Sequence, residues 1–425
     1  MPDLTTGLIW SSTLPSWQRN YYSMLLQETL RTKSILVPYT AYKEDFAAAN
    51  SGVVVFTEVF DTDPNFNALT ESGIWLSGGA LDSRTVSISL EIHGDILKFS
   101  DYNEIVQYVN KGDMRGLVCE KIGQNQVDYL DLLARNAFLS HPNKNALING
   151  TLTPAGARTS ITSADLFDPD LCETIRVHLE EHEVPGVSAV GDGDGQDIVC
   201  VTTPRVIKDI RTAASSKWLE VQEYAGAQRK FNSEVGMWNG IRFIKTNRLR
   251  LLNYGTIEHQ TTLNGATVTG QGARSTVDTV YTVGQSGATQ YVTLTTVTGF
   301  EVGKYITIHD VTKNGGAGNP PIETDGTQET RRIVYVSGSN VYFDKPLLKP
   351  HANGDLITIG MPIHSSIFMG GPGVVYAVGE RPNVIQPPKY DDLMMVNRYG
   401  WRGFLKFQLF RPEFYEVVET TGSLD

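Results

Sequence analysis

Asp197-Ile-Val-Cys-Val-Thr-Thr-Pro-Arg-Val-Ile-Lys-Asp-Ile-Arg211 and Val235-Gly-Met-Trp-Asn-Gly-Ile-Arg-Phe-Ile-Lys245 are the two stretches that decide the organisation of this chain. A glycine-rich turn over 191–197 leads into an apolar run at 198–202, read as a strand. Pro204 then opens a short helix through Ala213, because proline suits the first helical turn. Trp238-Asn-Gly240 is a turn, and 241–245 is the next strand. Together these elements predict a compact α/β unit over 145–260. The segment 163–183 adds a helix, at least in its second half, with Leu171, Ile175 and Leu179 on one face. Pro169 marks its first turn or a break.

Upstream, 113–140 is the longest helix expected. Met114, Leu117, Val118, Ile122, Tyr129, Leu132, Leu133 and Ala137 form its apolar face, while Glu120, Lys121, Asp128, Asp131 and Arg135 decorate the rest. At 1.5 Å rise per residue it spans roughly 40 Å, the length of a spine. Gly116 and Gly123 weaken it locally. Two further strands, 53–60 and 85–96, are joined by a long polar connection and read as an extended hairpin. In the second, Val86, Ile88, Leu90 and Ile92 alternate with polar residues, the mark of a half-buried strand. Such an arm needs a partner surface. Before it, 16–33 is expected to be a helix with two apolar stripes, suited to packing on a neighbour.

Residues 261–360 change character. This span of one hundred residues holds 18 Thr, 14 Gly and only 15 charged residues. Short strands are expected at 279–283, 290–297, 304–309, 331–336, 341–344 and 356–359, separated by turn residues, which predicts a small inserted β-barrel or sandwich. Strand and loop return over 368–378, 400–410 and 416–420.

Composition narrows the function. The chain has 425 residues, 47 Asp+Glu against 36 Lys+Arg and a net charge of -11. A protein that coats nucleic acid needs dense Lys and Arg, so that role is disfavoured. Three scattered cysteines, Cys119, Cys172 and Cys200, form no CxxC pair and suit a reducing cytoplasm. No apolar run approaches the roughly 18 residues of a membrane span, and the N-terminus lacks the features of a signal peptide.

Catalytic motifs are almost absent. His178-Leu-Glu-Glu-His182 matches the H-x-x-E-H pattern, which would pair His178 and His182 on a metal with Glu181 as base. The simpler account is the polar last turn of an amphipathic helix. Asp192, Asp194 and Asp197 resemble a calcium loop, but its twelfth position is Thr203 rather than Glu. Gly370-Gly-Pro-Gly373 lacks the Lys and Ser/Thr of a phosphate loop. Cys119 and Cys200 read as core residues. Arg242, Lys245, Arg248 and Arg250 form the densest basic stretch, expected to pair with acidic surface of the same or a neighbouring subunit rather than with nucleic acid. No catalytic, cofactor-binding or metal-binding residue is assigned, and no enzymatic activity or cofactor is expected.

The order of these elements resembles the major capsid proteins of tailed bacteriophages, in the branch of short-tailed-phage coat proteins with the Hong Kong 97-like fold. The resemblance is carried by the strand 197–201 with Thr203-Pro204-Arg205, by Ile210-Arg211 and Trp218, and by Val235-Gly236, Asn239-Gly240-Ile241-Arg242-Phe243-Ile244. The closing Tyr399-Gly-Trp401-Arg402, the early Leu69-Thr70-Glu71 and the long helix also fit. It covers most of 35–260 and 361–420; the insertion departs from the family pattern. The fold implied is α+β. An N-terminal arm with a helix takes 1–49 and an extended loop 50–96. A peripheral domain with the spine helix is built from 97–144 and 396–425, an axial domain from 145–260 and 361–395, and an inserted all-β domain from 261–360.

The function implied is a major capsid protein that self-assembles into pentamers and hexamers, forming an icosahedral head shell around double-stranded DNA. Partners would be other copies of itself, the portal, scaffold or decoration proteins, and DNA only by weak contact, with no membrane. The place would be the virion capsid, after synthesis in the host bacterial cytoplasm. Capsids of this fold can cross-link through Lys and Asn; Lys43 and Lys98 lie near the arm, but no acceptor is assigned. The alternative is a surface protein that binds carbohydrate or a receptor through the β domain. It would expose an aromatic cluster drawn from Tyr291, Tyr305, Tyr335, Tyr342 and Phe343, residues otherwise expected to fill the barrel core.

Overall fold

The structure is a computed structural model. It describes residues 34–44, 52–59, 82–100, 114–142, 144–154, 158–187, 197–214, 219–220, 233–267, 291–310, 328–385 and 396–423. The expected helix at 16–33, the strand at 279–283 and the aspartates Asp192 and Asp194 lie outside these residues.

The opening stretch folds as its pattern dictates. Ile198–Thr202 is a fully buried strand, the helix Pro204–Ala214 follows it, and Ile241–Lys245 lies parallel beside the first strand. Asn239 (φ 47°) and Gly240 (φ 76°) make the tight turn that returns Glu234–Trp238 antiparallel to Ile241–Lys245. Two adjacent positive-φ residues are what such a two-residue hairpin turn requires, and Asn-Gly supplies them. These strands belong to a nine-stranded mixed sheet. Its main order is Thr151–Pro154, Asn145–Ile148, Tyr415–Thr420, Ile363–Met369, Ile198–Thr202, Ile241–Lys245, Glu234–Trp238, Leu219–Glu220.

The three described α-helices are α1 (Met114–Leu139), α2 (Pro169–Glu181) and α3 (Pro204–Ala214). Helix α2 begins later than 163. Asp168 caps it by accepting from Asp170 N–H at 3.2 Å, and Pro169 takes the first helical position. Leu171, Cys172, Ile175 and Leu179 of α2 pack with Val206, Ile207 and Ile210 of α3 over Cys200, Phe243 and Phe368 of the sheet.

Helix α1 runs unbroken across 26 residues. Its buried face differs from the expected one. Ile122, Ala134, Phe138 and Leu139 are buried, whereas Tyr129 and Leu132 are each 37% exposed. Asp131, expected at the surface, has no exposed area. The helix packs on a four-stranded sheet ordered Ala41–Glu44, Val374–Ile385, Val396–Leu409, Glu91–Ser100. Trp401 is buried beneath it and donates from Nε1 to Asn125 Oδ1 at 2.9 Å. Gly400, beside this tryptophan, is compelled by close approach. A Cβ there would lie 2.6 Å from the Asp95 carbonyl of the neighbouring strand.

Val53–Val59 and Ser83–Ser89 pair antiparallel as the expected hairpin. The alternating run does not continue as one strand. It breaks at Leu90, whose N–H donates to Gly52 O at 2.8 Å, and Glu91–Ser100 passes to the four-stranded sheet. Ile92 therefore leaves the buried row and is 73% exposed.

A separate six-stranded antiparallel sheet is ordered Ile257–Thr262, Leu356–Gly360, Tyr305–His309, Glu329–Ser337, Asn340–Phe343, Val292–Thr293. It has its own core, including Leu294, Phe300, Ile306, Ile308, Ile333 and Phe343. Its first strand starts four residues before position 261. The strand expected at 290–297 shrinks to Val292–Thr293.

Candidate functional site

The hairpin is bolted to the body at its base. Glu58 forms ion pairs with Arg84 at 2.7 Å and Arg411 at 2.6 Å. Arg84 also donates to Phe410 O at 3.1 Å and reaches Glu413 at 3.3 Å. Lys43 Nζ donates to Val55 O at 2.6 Å and sits 4.8 Å from the centre of the Phe56 ring. Its amine is thus engaged within its own chain; the Lys98 side chain lies outside the described residues. Beneath the clasp, Val54, Ile88 and Leu90 pack on Val375 and Ala377.

A second junction ties the segment that follows the first 33 residues to α1. The buried Asp131 carboxylate accepts from Ser34 Oγ at 2.8 Å, Ile35 N–H at 3.0 Å and Leu36 N–H at 2.8 Å. It also meets Arg248, which pairs with Asp128 as well. Neither Glu58 nor Asp131 was marked by a motif, since each joins partners far apart in sequence.

The basic stretch divides. Arg242 pairs with Asp197 at 2.6 Å and approaches Glu234 at 3.8 Å, and Arg248 pairs with Asp128 and Asp131. Lys245 and Arg250 are exposed. Lys245 closes a cleft of about 410 Å³ with Pro204, Ile207, Lys208, Arg211, Thr212 and Val235.

His178 and His182 line a cleft of about 600 Å³ together with His141, Glu413 and Glu416. His178 Nδ1 is 3.8 Å from a Glu416 oxygen, and Asn145 donates to the other. Burial raises the Glu416 carboxyl above the usual range, against the pull of His178. His141 Nε2 lies 2.9 Å from Pro412 O, with its ring edge-on to Tyr415. His182 is the C-cap residue of α2. Among the described residues no group of three His, Cys, Asp or Glu side chains converges as metal ligands would.

Other candidates resolve into packing. Gly373 belongs to a close-packed corner, where a Cβ would strike Tyr415 at 2.2 Å and Arg411 O at 2.7 Å. Cys172 and Cys200 are buried and free, and burial pushes both thiols up. The Cys119 side chain lies outside the described residues. Buried His364 is held by Thr203 Oγ1 at 2.7 Å. Burial lowers its pKa to about 4, helped by Arg250 and Arg205.

The aromatic residues of the six-stranded sheet part company. Phe343 is core, as expected. Tyr342 instead stands between Tyr291 and Tyr335, with ring centroids 6.1 and 5.5 Å away, and Tyr335 and Tyr305 are each 42% exposed. Cross-strand alternation explains the split: Val341 and Phe343 point inward, so Tyr342 between them points outward.

The comparisons with known proteins agree with this architecture. Residues 108–293 match the model of a family described as phage capsid protein. The fold is similar to the capsid of Ralstonia phage GP4, with a TM-score of 0.52 and 13% identity over 92% of each chain. The capsid of the cyanophage P-SCSP1u is similar at 10% identity and a TM-score of 0.47, over 93% of this chain and 90% of that one. No curated protein matches the sequence. No helix among the described residues is long and apolar enough to cross a membrane. A phage capsid family model thus matches the middle of the chain and a phage-capsid fold spans nearly its whole length, in agreement with the resemblance read from the sequence.

Proposed function

We propose that this protein is the shell subunit of a tailed-phage head, built on the Hong Kong 97-like plan, which self-assembles into pentamers and hexamers around double-stranded DNA. The observation that carries this is the phage-capsid fold shared over 92% of the chain, joined to the family match at 108–293. In this reading 50–96 is the extended loop lying over a neighbour, α1 is the spine of a peripheral domain formed by 97–144 and 396–425, and 145–260 with 361–395 is the axial domain. Residues 1–49 form the arm. The 261–360 region is an insertion that projects from the shell. Portal, scaffold or decoration proteins meet this shell, DNA touches it weakly, and synthesis takes place in the host cytoplasm. Sedimentation of the purified full chain tests assembly. Megadalton particles are expected; a single species at the monomer mass across salt and concentration would refute the proposal.

The tyrosine row Tyr291–Tyr342–Tyr335 favours a second reading, in which the β region binds carbohydrate or a receptor by stacking on exposed Tyr335 and the half-buried rings beside it. Glycan binding by the intact protein that Tyr335→Ala and Tyr342→Ala abolish would support it, and silence of the wild type on a glycan array would remove it.

A further inference from the structure

An exposed tyrosine stands where the inserted sheet meets the body, with an arginine on either side. Tyr305 opens the strand Tyr305–His309 and is 42% exposed. Its partner in register on Glu329–Ser337 is Arg332, which is also exposed. Directly opposed residues of an antiparallel pair share one face, with Cβ atoms about 5 Å apart. A Cβ on Gly303 would come 3.9 Å from Arg332 Nη2, so the guanidinium stands over the turn that leads into the Tyr305 strand. On the other side, Arg250 is the exposed residue of the strand Arg250–Leu251. The two groups whose charges act on it are Arg205 and Tyr305.

Neither arginine is neutralised. Among the described residues no carboxylate pairs with the guanidinium of Arg250 or Arg332. Asp344 accepts from the Arg332 backbone N–H at 3.1 Å without forming an ion pair with its side chain. Neighbouring arginines show the contrast: Arg331 pairs with Glu329, Arg242 with Asp197 and Arg248 with Asp131.

The arrangement is fixed in advance. Asn253 donates from Nδ2 to Tyr305 O and to Thr307 Oγ1, both at 3.0 Å, and accepts from Gly360 N–H at 3.2 Å. This buried side chain ties the strand that carries Tyr305 to the segment that carries Arg250. A site ordered before binding loses less entropy when it is filled. Beyond Arg332, a shift of register between Ile333 and Tyr335 returns Tyr335 to the outward face. The tyrosine row therefore continues the surface on which Arg332 stands.

Two features set the ligand. A tyrosine ring presents a flat apolar face on which the C–H face of a sugar ring can stack. The planar fork of arginine grips a carboxylate through two parallel hydrogen bonds. A saccharide that bears carboxylates uses both features, whereas a neutral one leaves both cations unused. Nucleic acid also offers rings and anions, but its affinity comes from neutralising many phosphates. Two arginines on a chain of net charge -11 are too few for that.

We propose that Tyr305, Arg250 and Arg332 form a binding site for an acidic saccharide, a sugar chain bearing uronate or sialate carboxylates. The inference rests on the carbohydrate reading of the β region and names its ligand class and the residues that select it.

Titration of the full-length protein with fluorescent oligogalacturonate and sialyllactose, and with neutral maltotetraose and lactose, tests it. The two acidic probes distinguish the sources of the carboxylate. At least one of them is expected to bind roughly tenfold tighter than the neutral sugars. Arg250→Gln and Arg332→Gln should each remove most of that preference, and added salt should narrow it. Tyr305→Ala should weaken acidic and neutral sugars alike. Equal affinity for acidic and neutral sugars would overturn the inference and leave the carbohydrate reading standing. So would an acidic preference that both Arg→Gln variants retain. A single-stranded oligonucleotide that binds tighter than any of the sugars, and loses affinity in the same variants, would overturn it in favour of nucleic acid. Wild type that binds none of the sugars would overturn both the inference and the carbohydrate reading.

Discussion

Asp131 is a carboxylate with no exposed area that accepts from Ser34 and two backbone N–H groups while facing Arg248. Removing one partner of a buried pair strands the other, so Asp131→Ala should cost about 3–5 kcal/mol, read as a lower melting temperature. Asp131→Asn, which keeps an acceptor for the backbone, should cost less. His364 sets a pH dependence. Its folded pKa of about 4 lies below the ordinary 6.5, so its share of stability is complete above pH 6.5. That share, about 3 kcal/mol, is lost as the pH falls toward 4. Melting temperatures of wild type and His364→Gln between pH 4 and 7 should converge at the acid end. Glu416 acts with the opposite sign. Its raised pKa means that stability declines as pH rises through the carboxylate range, and Glu416→Gln should flatten that slope. None of these three residues was legible in the sequence. Helical periodicity places Asp131 among polar neighbours, and nothing local announces that Ser34 and Arg248 will bury it.

Elements were far easier to read than sites. The strands 198–202 and 241–245 and the long helix follow from short-range pattern, because burial on both faces leaves an unbroken apolar run and amphipathic burial leaves a 3.6-residue period. The break at Leu90 was hidden, since alternation continues through it while the hydrogen-bonding partner changes from the hairpin to the four-stranded sheet. The tyrosine row was ambiguous for a related reason: an aromatic residue in a strand suits either face. The clasp at the hairpin base makes a mechanical prediction. Glu58→Gln removes the charge shared by Arg84 and Arg411, and should lower amide-exchange protection of Val53–Val59 roughly tenfold, about 1.5 kcal/mol of local opening. Protection that stays at the wild-type level would show that Val54, Ile88 and Leu90 alone hold the arm.

For the whole molecule, the order of elements was legible and the surfaces that would meet another copy were not, because an interface is a property of two copies. The charge distribution makes this concrete. Residues 261–360 carry 7 Lys+Arg against 8 Asp+Glu, so 10 of the 11 excess negative charges lie in the rest of the chain. Within that acidic body the basic cleft beside α3 stands out only once the fold sets Lys245 next to Lys208 and Arg211. Large apolar residues such as Val55, Val59, Ile92, Ile96 and Leu97 are also exposed on the hairpin and the neighbouring strand. Shell assembly would cover such surfaces. Cryo-electron microscopy of particles formed by the full-length protein tests the central claim most directly. Closed icosahedral shells, with this chain ringed about five-fold and six-fold axes, are the result predicted; the chain remaining monomeric, or forming no closed shell under any assembly condition, would contradict it.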